Sequence, residues 1–252
     1  MPTFKRTVAD LLERVSGNII CPPHEAHLVP ERVHLRRFFE YFGVDCVFDV
    51  GANRGQYAEM LRRKVGFAGA IVSFEPTPEL AAALAARAAG DGRWHVEALA
   101  LDREAGPATF HIMHESELNS LRRPNAEQPD IHLRRNNTIA RSVTVMRSTV
   151  AAELARYQTR LGFARPFLKL DTQGNDLAVI EGAGAAIGRF VGIQTELAFK
   201  PLYEGAASLG DTLSGLQRLG FEPSALVPNN AGHFPLLVEV DCVLFRRDAL
   251  PA

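Results

Sequence analysis

The sequence has no apolar run approaching the roughly 18 residues a membrane-spanning helix needs. It has little cysteine: Cys21, Cys46 and Cys242 are odd in number, and their spacings match no disulfide framework or zinc motif. A reducing compartment, the cytoplasm, is the expected location. It also lacks an excess of either charge. Lys and Arg number 28 against 29 Asp and Glu, for a formal net charge of -1. That balance gives no electrostatic reason to expect nucleic acid or an anionic membrane as the main partner. No internal repeat and no low-complexity linker divides the chain.

What is present reads as one α/β unit with a helical preface. In "MPTFKRTVADLLERVSG" the apolar Phe4, Val8, Leu11, Leu12 and Val15 keep helical spacing, and Asp10 and Glu13 interrupt the run. An amphipathic helix packed on the domain is expected there, not a secretory signal. "CPPHEAH" reads as a loop. Its Cys21, His24 and His27 have no fourth ligand at a usual spacing, so metal is not expected. Pro30 opens a second helix, Leu35, Phe38, Phe39 and Phe42 form its face, and Gly43 stops it. Residues 1–43 are therefore assigned to an N-terminal helical extension and 44–252 to the main domain.

From residue 44 the pattern alternates. "VDCVFDV", "GAIVSFEP" and "WHVEALAL" read as near-continuous apolar strands, separated by helices through about Lys64 and over "PELAAALAARAA". Such β-α-β-α-β order predicts a parallel, doubly wound sheet covered on both faces. "ATFHIM" and "SVTVMRS" alternate as a hairpin or edge addition. Residues 114–141 between them have no clean period and read as a lid. "PFLKLD", "DLAVIEGAGAAI", "FVGIQTEL" and "SLGDTLSGLQRLG" then resume the strand–helix order, and "FEPSALV" with "LLVEVDCVLFRR" close it as a hairpin.

The stretch "VFDVGANRGQY" carries the first functional signal. A strand ends in Asp49, Gly51 permits a sharp turn, and Gly55 allows close approach of helix start, sheet and ligand. The spacing is not G-x-G-x-x-G: Asn53 stands where a dinucleotide turn has its middle glycine. A carboxylate at Asp49 suits a cationic ligand better than a pyrophosphate. Glu75, ending the second strand, can accept both hydroxyls of a ribose in either ligand class.

The stretches "FDVGANRGQY", "IVSFEPTPE", "EALALDREAGPATFHI" and "FLKLDTQGNDLAVIEGA" resemble the FkbM-type S-adenosylmethionine-dependent methyltransferases over about residues 44–220, with "GIQTEL" and "LYEG" also matching. The K-x-D-x-Q-G element is the specific part. The resemblance implies a class I, Rossmann-like methyltransferase fold, a seven-stranded and mostly parallel sheet with an antiparallel last strand. It implies S-adenosylmethionine as cofactor and methyl transfer to an oxygen, often on a sugar or polyketide hydroxyl. It puts Asp49, Gly51 and Asn53 at the methionine part of the cofactor, with Gly55 and Tyr57 closing the same matched stretch. Glu75 falls to the ribose, Glu97, Ala98 and Leu99 to the adenine, and Asp171 to the meeting point of cofactor and acceptor. One departure stands out: family members usually carry Glu where this chain has Asp176, and the shorter side chain loses reach.

A hydroxyl acceptor needs a general base or a metal that lowers its pKa. Asp171 is the first candidate, with Glu196 beside it on the next strand, where the two could share a proton or hold Mg²⁺. Lys169 would orient Asp171 or pair with a buried acid. Gln173 and Gly174 would shape the turn. In the lid, Arg122, Arg123, Arg134, Arg135 and Arg141 would suit a diphosphate or acidic sugar, or else form a solvated surface. Ser116, Asn119 and Ser120 are weaker candidates, as are the histidines 111, 114, 132 and 233 as bases.

The leading reading is an O-methyltransferase acting on a sugar hydroxyl of a glycolipid, polysaccharide or glycosylated natural product. Its partner is then a small-molecule or glycan acceptor, with a homodimer left open. A nicotinamide-dependent oxidoreductase is the second reading; Tyr57, Tyr157 and Tyr203 have no lysine four residues later, which counts against it. A non-catalytic nucleoside-binding domain is the third.

Overall fold

The computed structural model describes residues 19, 21–127, 135–228 and 236–250. The helix expected over residues 1–17, Asp130, His132, Arg134, His233 and the side chain of His24 lie outside the described residues.

A 3-10 turn over Pro23–Leu28, where the sequence read as a loop, leads into α1 (Val29–Phe42). Gly43 ends α1 in the left-handed conformation at φ 62°, a backbone shape glycine adopts without strain. The buried face of α1 is the expected one, Leu35, Phe38, Phe39 and Phe42. Phe38 and Phe39 stand edge-on to Phe167 of the sheet at centroid distances of 5.4 and 5.0 Å. Each such buried side chain contributes about 1.5–3 kcal/mol. The helix is therefore anchored to the domain by packing.

The chain then runs β1 (Cys46–Val50), α2 (Gln56–Met60), a π-helical turn Leu61–Val65, β2 (Ala70–Phe74), α3 (Pro78–Ala88) and β3 (Trp94–Glu97). Here one expectation fails. "WHVEALAL" is not a single strand: the chain leaves the main sheet after Glu97, and β4 (Ala100–Leu101) pairs with β6 instead. Apolar periodicity is identical for both pairings, so it could not reveal the break. β5 (Gly106–Met113) and β6 (Ile139–Ser148) form the expected antiparallel hairpin, in a three-stranded sheet of order β4-β6-β5. Then come α4 (Val150–Leu161), β7 (Pro166–Leu170), α5 (Asp176–Ala183), β8 (Gly192–Ala198), α6 (Leu209–Arg218), β9 (Phe221–Pro228) and β10 (Glu239–Arg246). α4 was not anticipated, although its signals are present. Thr149 caps its first turn by accepting from the Ala152 amide, Val150, Leu154 and Tyr157 are buried, and Gly162 ends it at φ 69°.

The main sheet has seven strands in the order β3-β2-β1-β7-β8-β10-β9. All neighbours are parallel except β10, which is antiparallel to both β8 and β9. Alternate side chains of β1 and β7 point to opposite faces. Phe48 and Leu168 pack with Leu154 of α4 and Val179 of α5, whereas Val47 and Phe167 pack with α1, α2 and α3. This is the class I, Rossmann-like methyltransferase sheet, with its switch point between β1 and β7. Ligands of such sheets bind outside the strands' C-terminal ends at the switch point. Among the described residues no helix is long and apolar enough to cross a membrane.

Candidate active site

On the helix α1–α3 face, apolar packing gives way near the switch point to a row of polar residues. The register aligns Ser73, Asp49, Lys169 and Gln194 across β2, β1, β7 and β8. Asp49 is 0% exposed. Ser73 Oγ donates to its Oδ2 at 3.1 Å, Trp94 Nε1 donates to Ser73 Oγ at 3.0 Å, and Lys169 Nζ lies 3.3 Å from its Oδ1. The same ammonium reaches Asp171 Oδ2 at 3.4 Å and sits 5.2 Å above the centre of the Tyr57 ring. Burial pulls the Lys169 pKa down, but Asp171 and Asp49 outweigh it and hold the group firmly charged. Burial pushes the Asp49 carboxyl up, against the pull of Lys169 and Ser73. The carboxylate expected to meet a cationic ligand therefore meets a cation of its own chain. Asp49 does not line the cavity; Lys169 and Asp171 do.

The glycine turn is built by close backbone approach. Gly51 has φ 80°, and a Cβ there would lie 1.9 Å from the Asp171 carbonyl oxygen. Its amide and that of Ala52 both donate to the Phe74 carbonyl. Gly55 serves packing: a Cβ would lie 2.5 Å from Leu84 and 3.0 Å from the Trp94 ring. Asn53, at φ 48°, turns its amide onto Glu75 Oε2 at 2.8 Å, while the Thr77 amide donates to Oε1 at 2.8 Å. Glu75 is thus fixed from one side, and each oxygen keeps a lone pair for a further donor. Burial is the main cause that raises its pKa.

A cavity of about 420 Å³ opens above these residues. One end has Asn53, Glu75 and Pro76 with an apolar wall of Ala100, Leu101, Phe110 and Leu121. The other end has Glu31, Tyr57, Lys169, Asp171, Gln194, Glu196 and Asp241, with Arg32 beside Glu31. A volume with a carboxylate free to accept from a diol, an apolar wall and a group of acids fits an adenosine bearing a cationic tail. It fits a pyrophosphate poorly.

Two glutamines order the acidic end. Gln173, held at φ 53°, donates from Nε2 to Asp171 Oδ1 at 2.8 Å and to Glu196 Oε2 at 3.1 Å. Tyr203 Oη lies 2.9 Å from Gln173 Oε1 and 2.8 Å from the Leu118 carbonyl, sharing its proton between them. Gln194 repeats the pattern: Nε2 donates to Glu31 Oε1 at 2.7 Å, and Tyr57 Oη donates to Oε1 at 2.8 Å. Asp241 stands directly opposite Glu196 on β10 and beside the Gln194 amide. Burial and then Asp171 push the Glu196 pKa well up; burial and then Glu31 do the same for Asp241.

The structure therefore brings Asp171, Glu196 and Lys169 together as expected. It does not arrange the two carboxylates for Mg²⁺, because an amide N–H donor occupies the place between them where a cation would sit. Among the described residues no group of three or more His, Cys, Asp or Glu side chains is placed to hold a metal. Glu97, Ala98 and Leu99 do not line the cavity; Glu97 instead accepts from Tyr157 and pairs with Arg156, and the apolar wall comes from Ala100 and Leu101 just beyond. Asp176 takes the Thr172 amide at 3.0 Å and the Thr195 hydroxyl at 2.5 Å.

Between β5 and β6, Ser116 meets Asn53 Nδ2 at 3.3 Å, Asn119 accepts from the Met113 amide, and Ser120 donates to the Gln173 carbonyl at 2.8 Å. Arg122 is spent on Asn175 and the Glu204 and Gly205 carbonyls, and Arg141 pairs with Glu79. Neither is directed at an anion in the cavity. His111 is buried against Ser142 at 2.9 Å, which makes it structural. Glu31, Gln194, Tyr203 and Asp241 were missed from the sequence. Gln194 and Asp241 interrupt apolar strands at an alternating position, which is a legible signal; Glu31 looks like any first-turn acid of a helix.

A family model described as the methyltransferase FkbM domain matches residues 49–223. No curated protein matches the chain. Among solved structures, the chain is similar to the methyltransferase FkbM from Methylobacillus flagellatus KT, at 15% identity and TM-score 0.49 over 80% of this chain and 43% of that one. It thus spans less than half the length of that relative. It is also similar to an O-methyltransferase from Bacillus cereus in complex with SAH, at 11% identity and TM-score 0.48 over 98% of this chain and 93% of that one. A third is magnesium protoporphyrin IX methyltransferase from Synechocystis PCC 6803 with bound SAM, at 9% identity, TM-score 0.47 and 98% of each chain. With more than half its length matched by that domain model, laid on this sheet, the chain belongs to the FkbM family of S-adenosylmethionine-dependent methyltransferases.

Proposed function

We propose that the protein is an O-methyltransferase that moves a methyl group from S-adenosylmethionine to a hydroxyl of a sugar, in a glycolipid, a polysaccharide or a glycosylated natural product. The observation that carries the choice of cofactor is the charge of the cavity: Glu31, Glu75, Glu117, Asp171, Glu196 and Asp241 line it against Lys169 and Arg32. A pyrophosphate placed there would face like charge, whereas an ammonium and a sulfonium would be stabilised. This disfavours the nicotinamide reading.

When bound, S-adenosylmethionine supplies an electrophilic methyl group on a positively charged sulfur. The chain's own residues do the rest. Glu75 accepts from the ribose hydroxyls, and Asn53, Gly51 and Tyr57 shape the turn around the methionine part. One carboxylate of the Asp171–Glu196 pair accepts the proton of the attacking hydroxyl as the methyl group leaves sulfur. Gln173 keeps both carboxylates aimed at one place, which is the positioning an in-line displacement needs. In this reading residues 44–252 are the methyltransferase domain, residues 1–43 its helical extension and 114–141 the lid over the acceptor.

Isothermal titration with S-adenosylhomocysteine and with NAD tests the cofactor. Binding of the former alone is expected; binding of NAD alone would overturn the reading. Incubation with methyl-labelled cofactor and glycolipid or polysaccharide extracts tests the acceptor, and label found only on nitrogen or carbon would overturn O-methylation.

A further inference from the structure

Helix α1 enters the cavity with its first turn, ahead of the segment that the family model covers. Its Glu31 carboxylate takes the Gln194 amide at 2.7 Å. An amide has two ends, and a carboxylate can only accept. Glu31, with Asp241 drawing on the same amide, therefore sets which way Gln194 faces. With nitrogen turned to Glu31, oxygen is left to receive the Tyr57 hydroxyl at 2.8 Å. Tyr57 belongs to the first turn of α2, immediately after the glycine turn, and its ring carries Lys169 Nζ at 5.2 Å. Lys169 in turn lies 3.3 Å from Asp49 and 3.4 Å from Asp171. The relay is continuous, from a helix outside the matched segment to the carboxylate at the switch point.

We propose that Glu31 is a positioning residue of the active site, which fixes Gln194 and through it holds Tyr57 and Lys169 at the methyl-transfer end of the cavity. The proposal rests on the S-adenosylmethionine reading given above. Glu31 acts in two ways that can be separated. As an acceptor it orients the amide. As a negative charge on the cavity wall it favours positive charge in the ligand.

Three variants separate these roles: Glu31→Gln keeps an acceptor without the charge, Glu31→Leu removes both, and Glu40→Gln changes an exposed acid on the same helix as a control. Each is titrated with S-adenosylhomocysteine and with sinefungin, which carries a protonated amine where the methyl group would be, and each is melted. Glu31→Leu is expected to bind S-adenosylhomocysteine about tenfold more weakly, in line with loss of a charged hydrogen bond. Glu31→Gln is expected to bind it within about twofold of wild type, yet to lose roughly three- to tenfold in its preference for sinefungin over S-adenosylhomocysteine. Glu40→Gln should change neither. If both Glu31 variants match Glu40→Gln in affinity and preference, the proposal falls. If affinity in Glu31→Leu falls only in step with the melting temperature, and the sinefungin preference is unmoved in Glu31→Gln, Glu31 is merely structural and the proposal falls too. Failure of the wild type to bind either nucleoside would instead overturn the cofactor reading itself.

Discussion

The Gln173 amide stands between two carboxylates, 2.8 Å from Asp171 Oδ1 and 3.1 Å from Glu196 Oε2. Gln173 reaches that place from a left-handed backbone, at φ 53°. A side chain in this region costs about 1–2 kcal/mol per residue. Gln173→Gly relieves that strain while deleting the amide. Stability is expected to stay within about 1 kcal/mol of wild type, since the lost hydrogen bonds are worth a similar amount. Turnover with saturating cofactor should fall by at least about tenfold as the carboxylates lose their common donor. Calorimetric melting beside steady-state kinetics checks the pair, and undiminished turnover would remove Gln173 from the mechanism.

Gly51 and Gly66 have nearly the same φ, 80° and 81°, but different surroundings. A Cβ at Gly51 meets the Asp171 carbonyl oxygen at 1.9 Å, whereas at Gly66 nothing lies within 4 Å. Gly66→Ala should lose only the strain term, about 1 kcal/mol. Gly51→Ala should lose about 3 kcal/mol or more and should abolish S-adenosylhomocysteine binding, because it must part the turn from the β7 end. Denaturant unfolding and titration of the two variants in parallel give the comparison.

Lys169 is the ion-pair partner of a carboxylate that is 0% exposed. Lys169→Met leaves Asp49 buried with only Ser73 as donor, and a loss of about 3–5 kcal/mol is expected near neutral pH. The sign with pH follows from linkage. Without Lys169 the folded-state pKa of Asp49 rises further above its ordinary value of 3.8. Folding then takes up a proton, so the deficit is smallest in acid and grows as pH rises. Urea denaturation of the variant and the wild type at pH 4.5 and pH 7.5 reads this directly, and an equal deficit at both would contradict it.

Burial, then Asp171 and Asp176, raise Glu239 from 4.5 to about 7. The folded protein therefore holds a proton there that the unfolded chain releases. The resulting stabilisation is complete below pH 4.5 and is lost as pH rises through about 7. Wild type should melt higher at pH 5.5 than at pH 8, and Glu239→Gln should narrow that gap by about 4–8 °C. A gap unchanged in the variant would assign the pH dependence to other groups.

Much of the fold was legible because its apolar strands and capped helices repeat at periods of 2 and 3.6. The glycine turn, Glu75, and the nearness of Asp171 to Glu196 were legible for a related reason: the turn, Glu75 and Asp171 follow directly on strand ends, Glu196 lies near the end of the next strand, and consecutive parallel strands are neighbours. The break at Ala98–Leu99 was not legible, because "WHVEALAL" has the same apolar pattern whether it pairs with one sheet or two. Nor was the engagement of Arg122, whose partners Asn175, Glu204 and Gly205 lie more than fifty positions away in sequence.

The amino-acid sequence alone determined that a strand, a glycine turn and a helix start precede a second carboxylate at the next strand end. Those properties are local, set by φ-permissive glycines and by which residues terminate strands. Which cation Asp49 faces was decided only by tertiary structure. Register aligned Lys169 beside it, and burial at 0% exposure made that partner obligatory. The acidic far end was decided the same way, since Glu31, Gln194 and Asp241 come from α1, β8 and β10 and meet only when the sheet is wound. Charges distant in sequence have no mutual energy until folding sets the distance and removes the water between them.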